Sequence, residues 1–335
     1  MTAAIEKFSH RASLASVDET VGHREGAAPT LALRMQIESL DPAALPAAFV
    51  TADQAAVRSQ RTALSYIRLQ LLCGIVAAAA GVGSWRWEKG GADVLAAVGV
   101  LAFAGALYFS WRLADGRALR RWYEARAAAE SLKTLAWRYA VGADPFRCDS
   151  RDGADEEFVR RLRDVLERLH HLDVPLKQRG DDQITNAMRA LRASPLEVRK
   201  EVYGRGRVQD QVAWYRTKAA AHAGSQRRWA RATMLANGAG MVAALARLVQ
   251  LTGLDLLGVL AVVAASATAW SQARQHGSLV AAYSVAEHEL RLVMAMIPGI
   301  PDELRWAGFV ADSEEAISRE HTMWLASRVA GPAHP

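Results

Sequence analysis

The sequence predicts an all-α integral membrane protein: two transmembrane helical hairpins, four spans in all, with long cytosolic helical extensions. Three observations carry that expectation. Apolar runs, nearly free of charge, occupy 69–85, 94–111, 232–251 and 254–271. Arginines and tryptophans crowd the ends of those runs. Helical periodicity continues out of the runs into polar sequence without a breaker. Each run is long enough to cross a hydrocarbon core of ~30 Å at ~1.5 Å per residue. A soluble bundle with buried Ala, Val and Leu helices is the competing reading, but a core helix has no need of arginine clusters and tryptophans at its ends.

Averages conceal this. Over 335 residues the mean hydropathy is −0.01, charged residues are 23% and the net charge is +6, values of an ordinary globular chain. Only the uneven placement of the charge separates it from one. Two cysteines, Cys73 in an apolar run and Cys148 in a polar stretch, cannot form a disulfide framework or a cysteine metal site, which excludes a stapled secreted domain and a zinc module.

Residues 1–40 mix Ala, Ser, Gly, Glu and Arg without period and read as a mobile tail. They contain no apolar core behind a basic start, so no cleavable signal peptide is expected. A first module is expected over 41–146. Thr51 and Gln54 form a capping-box pattern, and Ala56, Gln60, Leu64 and Ile67 then hold a helical period into span one. Arg86 to Asp93 make a short polar turn into span two. Beyond it, Trp111, Ala118, Trp122, Ala125, Ala129, Leu132, Ala136 and Tyr139 recur at helical spacing, interrupted only at Gly116. A helix over 94–140 would be on the order of 70 Å long at ~1.5 Å per residue.

A cytosolic linker, 147–195, carries an amphipathic helix at 155–172 with Phe158, Leu162, Val165, Leu166, Leu169 and Leu172 on one side, suited to packing or to interaction. Ser194-Pro195 reads as N-cap and first turn of the next helix. The second module, 196–330, repeats the first. Ser59-Gln60-Arg61 stands before span one as Ser225-Gln226-Arg227 does before span three, and Ala129-Glu130 follows the first hairpin as Ala286-Glu287 follows the second. Leu279, Tyr283, Ala286, Leu290, Val293 and Ile297 line a helix that stops at Pro298, and Asp312 and Glu315 are placed near the start of the last one.

Arg58, Arg61 and Arg68 precede span one; Arg112, Arg117, Arg120 and Arg121 follow span two; Arg227, Arg228 and Arg231 precede span three; Arg274 follows span four. Short basic flanks stay cytoplasmic, so both turns face out and both termini are cytoplasmic. Trp85, Trp87, Trp111, Trp229 and Trp270 fall at span ends, where amphipathic rings suit the headgroup layer. Arg247 and Asp255 make the second hairpin less apolar than the first, both near its turn.

Two stretches resemble a known family. Leu45-Pro46, Ala52-Asp53, Ser59-Gln60-Arg61, the run from Ala129-Glu130 through Trp137 to Tyr139, and Pro145-Phe146 are similar to one subtype of the SLATT family. Arg207 to Gln211, Trp214-Tyr215, Lys218-Ala219, Ser318-Arg319-Glu320-His321-Thr322 and Trp324 resemble another. Gln60, Glu130, Trp137, Gln211, Trp214, Tyr215, Glu287, Arg319, Glu320 and His321 are the family-motif positions. The resemblance implies a two-span effector associated with nucleotidyltransferases and SLOG domains in bacterial conflict systems. It would sit in the bacterial inner membrane, act as a homo-oligomer that forms a pore or disrupts the bilayer, and answer to a cytosolic sensor or nucleotide-signalling partner. A non-conducting scaffold that recruits partners through its stalks is the alternative.

No residue pattern calls for catalysis, a cofactor or a metal. Ser318, Glu320 and His321 lie too close along one helix to align as nucleophile, base and orienter. Glu287-His288-Glu289 and His170-His171 lack the i, i+4 spacing of a helical metal site. Gly204-Arg205-Gly206-Arg207 follows no strand and is no phosphate loop, and basic residues beside a bilayer more often meet anionic headgroups than nucleic acid. Each run has a small-residue face, expected to serve close helix packing. Thr233, Asn237 and Thr268 are the candidate pore-lining residues. Asn237 is an amide within an apolar run and so wants a partner helix or water.

Overall fold

The computed structural model describes residues 40, 44–86, 92–148, 153–169, 183–252 and 256–329, with side chains described for all of these but 168–169 and 319–329. All regular elements among them are helices, so the chain is all-α. Most of the tail read at 1–40, His170-His171 and the end of the predicted 155–172 helix lie outside the described residues.

Helix α1 (Ala47–Ala80) is 34 residues long and begins behind Pro46. Leu45, Ala48 and Phe49 are buried and anchor that start. The expected capping box is not used: Thr51 donates its hydroxyl one turn back to the Ala47 carbonyl at 3.0 Å, inside a helix already under way. Helix α2 (Val94–Ala114) returns from a turn closed by the Val94 N–H donating to Trp85 O at 2.8 Å. The Asp93 carboxylate caps α2 by accepting from the N–H groups of Leu95 at 2.9 Å and Ala96 at 3.3 Å.

The long predicted helix is two helices. It breaks at Asp115-Gly116, where Gly116 takes φ 68°, and resumes as α3 (Arg117–Val141). The break does not divert the chain from α1. Ser110 meets Gln70 at 2.9 Å, Arg112 meets the Tyr66 hydroxyl at 3.0 Å, and Arg126 meets Asp53 at 3.3 Å, one antiparallel register on both sides of the kink.

The second module is built the same way. Helix α6 (Leu196–Tyr203), a π-helical segment (Gly204–Gln209) and α7 (Asp210–Leu248, 39 residues) form one unbroken helical run. Pro195 rather than Ser194 is the N-cap of α6, because the Ser194 hydroxyl is turned back to Ala190 O at 2.9 Å. Helix α8 (Leu256–Ala273) returns along α7, breaks at Gln275 with φ 48°, and continues as α9 (His276–Met296). Thr233 faces Thr268, Trp229 faces Trp270, His222 faces His276 and Tyr215 faces Tyr283, again one antiparallel register across a kink. The repeat legible in sequence is thus architectural: a long helix, a short returning helix, a left-handed residue and a stalk helix.

The stretch read as linker is part of the core. Helix α4 (Ala154–Leu169) and α5 (Asn186–Arg192) pack on α3, burying Phe158, Leu162, Met188 and Leu191. A short 3-10 turn (Ile297–Gly299) leads to α10 (Glu303–Val329), which packs against α3 with Trp306, Val310 and Ile317 buried. Helix α10 begins well before Asp312 and Glu315, with Asp302 accepting from the Arg305 N–H at 2.8 Å. The two acids are therefore interior to the helix and are not dipole partners of its first turn.

Three of the described helical stretches are long and apolar enough to cross a membrane: Ala47–Ala80, Val94–Ala114 and Leu256–Gly299. The fourth run, in α7, falls short on the same measure, since Asn237 and Arg247 lower its hydropathy. The two hairpins meet through α1 and α8, where Ala264, Ser266, Ala267 and Trp270 are buried and the Arg68 guanidinium lies 4.8 Å from the Trp270 ring centre.

Candidate functional site: the paired hairpins and the junction beneath them

Small residues do bring the apolar helices together. A Cβ on Gly99 would meet the Ala80 methyl at 3.7 Å, one on Gly240 would meet Leu260 at 3.7 Å, and one on Gly105 would press on the Cys73 sulfur at 3.0 Å. Of the three pore-lining candidates, two are brought together: the Thr233 and Thr268 hydroxyls are 3.3 Å apart across α7 and α8, and Thr268 also donates to Ala264 O at 3.0 Å. Asn237 is not with them. It is exposed on the outer face of α7.

At the kink between α8 and α9, the Nδ1 atoms of His222 and His276 are 3.0 Å apart, so one imidazole must donate and the other accept. Burial, the facing His276 ring, Arg274 and Lys218 push the His222 pKa down to about 4. Burial, Arg274 and Arg228 also lower that of His276. Both rings are therefore neutral at neutral pH, and the bond needs one Nδ1 to carry its hydrogen while the other accepts.

Below the hairpins, three parts of the helical body (α3, the run from α6 into the π-helical segment, and α10) converge on one carboxylate. Glu314 of α10 is 0% exposed and accepts from Arg207 Nε at 2.8 Å and Nη2 at 2.7 Å, from the Tyr203 hydroxyl at 3.1 Å, and from the Thr134 hydroxyl at 2.9 Å. Thr134 belongs to the α3 stalk of the first module and Arg207 to the π-helical segment near the start of the second. Burial opposes the Arg207 charge, but the Glu314 carboxylate outweighs it and raises the guanidinium pKa above its ordinary value. Burial, reinforced by Glu314, raises the Tyr203 phenol well above its usual range, so it remains a donor. Arg207 Nη1 has no hydrogen-bond partner among the described residues. π-Helical turns often mark functional positions, and this one presents the buried arginine.

Lys133 lies one residue before Thr134, and burial together with the Arg207 charge depresses its pKa to about 8. Its protonated form is disfavoured in the fold relative to an unfolded chain, whose lysines titrate near 10.4. The penalty is complete below about pH 8 and disappears as pH rises to roughly 10.4. We expect Lys133→Met to be more stable than the parent at pH 7, with that advantage shrinking between pH 8 and 10.5 in parallel thermal melts.

Cations also finish α3. Arg199 Nη1 and Trp306 Nε1 each donate to Val141 O at 2.8 Å, and Arg192 Nη1 donates to Tyr139 O at 3.1 Å. Gly142, at φ 73°, closes the helix where a Cβ would stand 2.5 Å from the Cys148 sulfur and 2.8 Å from Arg199 Nη1, so only glycine fits.

Comparison with family models matches residues 46–200 to SMODS and SLOG-associating 2TM effector domain 3, and residues 203–324 to SMODS and SLOG-associating 2TM effector domain 1. The chain carries two different SLATT domains in tandem. No curated protein and no solved structure matches it. SLATT effector domains point to a role in bacterial conflict and defence, and the two-TM domains with their apolar helices are consistent with a membrane location.

The boundary between the two SLATT matches falls at the end of α6, just before the π-helical segment, which places Tyr203 and Arg207 at the start of the second domain and across the interface from the first. Several motif positions lie in or near this interface. Glu130 is buried and paired with Arg126 at 2.6 Å; the Trp137 ring stands edge-on to Tyr203 at 6.0 Å; Gln211 is buried one turn after Arg207. Trp214 and Tyr215 instead meet Tyr283 within the second SLATT domain, edge-on and tilted respectively, each 5.5 Å between ring centres. Gln60 is half-buried on α1, and Glu287 pairs with Arg291 at 2.6 Å on α9. The side chains of Arg319, Glu320 and His321 lie outside the described ones. Glu314 was missed by sequence reasoning. Its signal is its place in the stripe Trp306, Val310, Glu314 and Ile317, an acid at a position where periodicity asks for an apolar residue.

Proposed function

We propose that this tandem SLATT protein is a non-enzymatic membrane effector of a bacterial conflict or anti-phage system. All four apolar runs span the inner membrane, both termini are cytoplasmic, and the protein oligomerises to permeabilise the bilayer when triggered. The observation that carries this reading is the contrast between the two ends of the molecule. In α2 only 6% of the most apolar window is buried, and Val100, Leu101, Phe103 and Leu107 stand outward, whereas the stalks bury a continuous core. A water-soluble monomer rarely exposes so large a contiguous apolar surface; a bilayer covers it.

Four spans are too few to enclose an ion path easily, so conduction is assigned to an assembly of copies. A trigger acting on the cytosolic body, from a sensor or nucleotide-signalling partner, would reach both hairpins through the helices that run on from stalk into span. The scaffold reading would use the apolar face of α4 for recruitment. That face is occupied by the protein's own core.

Purified full-length protein reconstituted into phosphatidylethanolamine and phosphatidylglycerol liposomes tests the proposal through potassium and dye release, together with membrane potential in cells after induced expression. Release with depolarisation supports the effector reading. Sealed liposomes and polarised cells, with the protein inserted and its proposed partner present, overturn it.

A further inference from the structure

We propose that the outer face of α7 around Asn237 is a homotypic interface, where the Asn237 amides of two copies hydrogen-bond to each other across a two-fold axis. The inference rests on the membrane reading above. Within the chain the Asn237 side chain has no hydrogen-bond partner among the described residues. The side chains around it are apolar and outward: Met234 is 72% exposed, Leu235 74%, Met241 63% and Val242 63%. In water such an amide would be solvated. On a bilayer-facing surface it must find a donor and an acceptor in another protein.

A second copy is the occupant these features favour, for three reasons. A carboxamide carries both a donor and an acceptor, so it complements itself. Copies inserted with one orientation hold position 237 at the same depth, and a two-fold axis along the membrane normal sets the two amides opposite each other. The neighbouring Gly238 has nothing within 4 Å of where a Cβ would stand, so a second helix can approach the backbone there. Met234, Met241 and Leu245 recur on that side of α7 at three- and four-residue steps, the spacing of a seam between two helices, and flexible methionines fill such a seam readily. Thr233 and Thr268 play no part, since they satisfy each other between α7 and α8.

The test uses full-length protein in a Cys73→Ser/Cys148→Ser background, reconstituted in the same lipid. Met241→Cys is expected to give a disulfide-linked dimer on mild oxidation, while Leu101→Cys, an even more exposed apolar position on α2, is expected not to. Asn237→Leu is expected to weaken dimerisation about tenfold, and Asn237→Gln, which keeps the amide, to retain it. Equal cross-linking at positions 101 and 241, dimerisation indifferent to Asn237→Leu, or a reconstituted monomer would each overturn the interface. Inserted dimers in sealed liposomes would count against permeabilisation and leave the interface standing. Protein that stays in the aqueous phase would overturn the membrane reading and this interface with it.

Discussion

Replacing Glu314 by Leu is expected to destabilise the packed stalk helices by ~3–5 kcal/mol, because it strands a buried guanidinium. Arg207 is 1% exposed, and without the carboxylate both of its paired nitrogens, Tyr203 and Thr134 lose their acceptor together. Thermal unfolding of the detergent-solubilised protein, followed by near-ultraviolet circular dichroism, measures the loss. The informative comparison is Arg207→Met/Glu314→Leu, which removes both charges at similar volume. Buried ion pairs are commonly no more stabilising than a well-packed apolar substitute, so the double variant should recover most of the stability. A double variant as unstable as Glu314→Leu alone would show that the pair contributes by more than mutual neutralisation. The carboxylate joins Thr134 of one SLATT domain to Arg207 of the other, so Glu314→Leu should also loosen the domains from each other, read as faster proteolysis near the 200–203 boundary.

Trp306→Ala should cost ~3–5 kcal/mol, the range for deleting a large aromatic from a packed core. The indole is 0% exposed, meets Tyr203 at 5.7 Å between ring centres in a perpendicular contact, and donates Nε1 to Val141 O at 2.8 Å. Phenylalanine at 306 keeps most of the volume and loses only the donor. Because Arg199 also donates to Val141 O, that carbonyl stays satisfied, and Trp306→Phe should cost ~1 kcal/mol, the net value of one hydrogen bond. Chemical denaturation at fixed detergent concentration separates the two. Equal effects of Ala and Phe would mean that the hydrogen bond, rather than cavity formation, dominates.

These effects fall at residues of different legibility. Tyr139 is legible as a member of a helical stripe and Trp137 as a position of the family resemblance, and the structure buries both. Trp306 lies outside the expected last helix, whose start near Asp312 falls well after the observed one at Glu303. Glu314 could be found only by asking why an acid interrupts an apolar stripe, and its partner Arg207 lies far away in sequence. The Thr51 and Gln54 capping pattern misled for a related reason: burial of Leu45 and Phe49 outweighs a local hydrogen-bond preference when it fixes where a helix begins.

The helical class, the apolar runs with their basic and aromatic flanks, the tandem repeat and the two SLATT resemblances are all legible along the chain. Each of these depends on period, composition or local spacing, all of which are written along the chain. Tertiary structure decided that the long helices kink at Gly116 and Gln275 yet keep register with α1 and α7, that α4 is spent on the internal core, and that Glu314 ties the two modules together. It also turned Asn237 outward, away from Thr233 and Thr268. The physical reason is the same in each case: which face of a helix is covered, and which buried charge finds its counterion, depends on contacts between residues remote in sequence, and no local pattern encodes the partner.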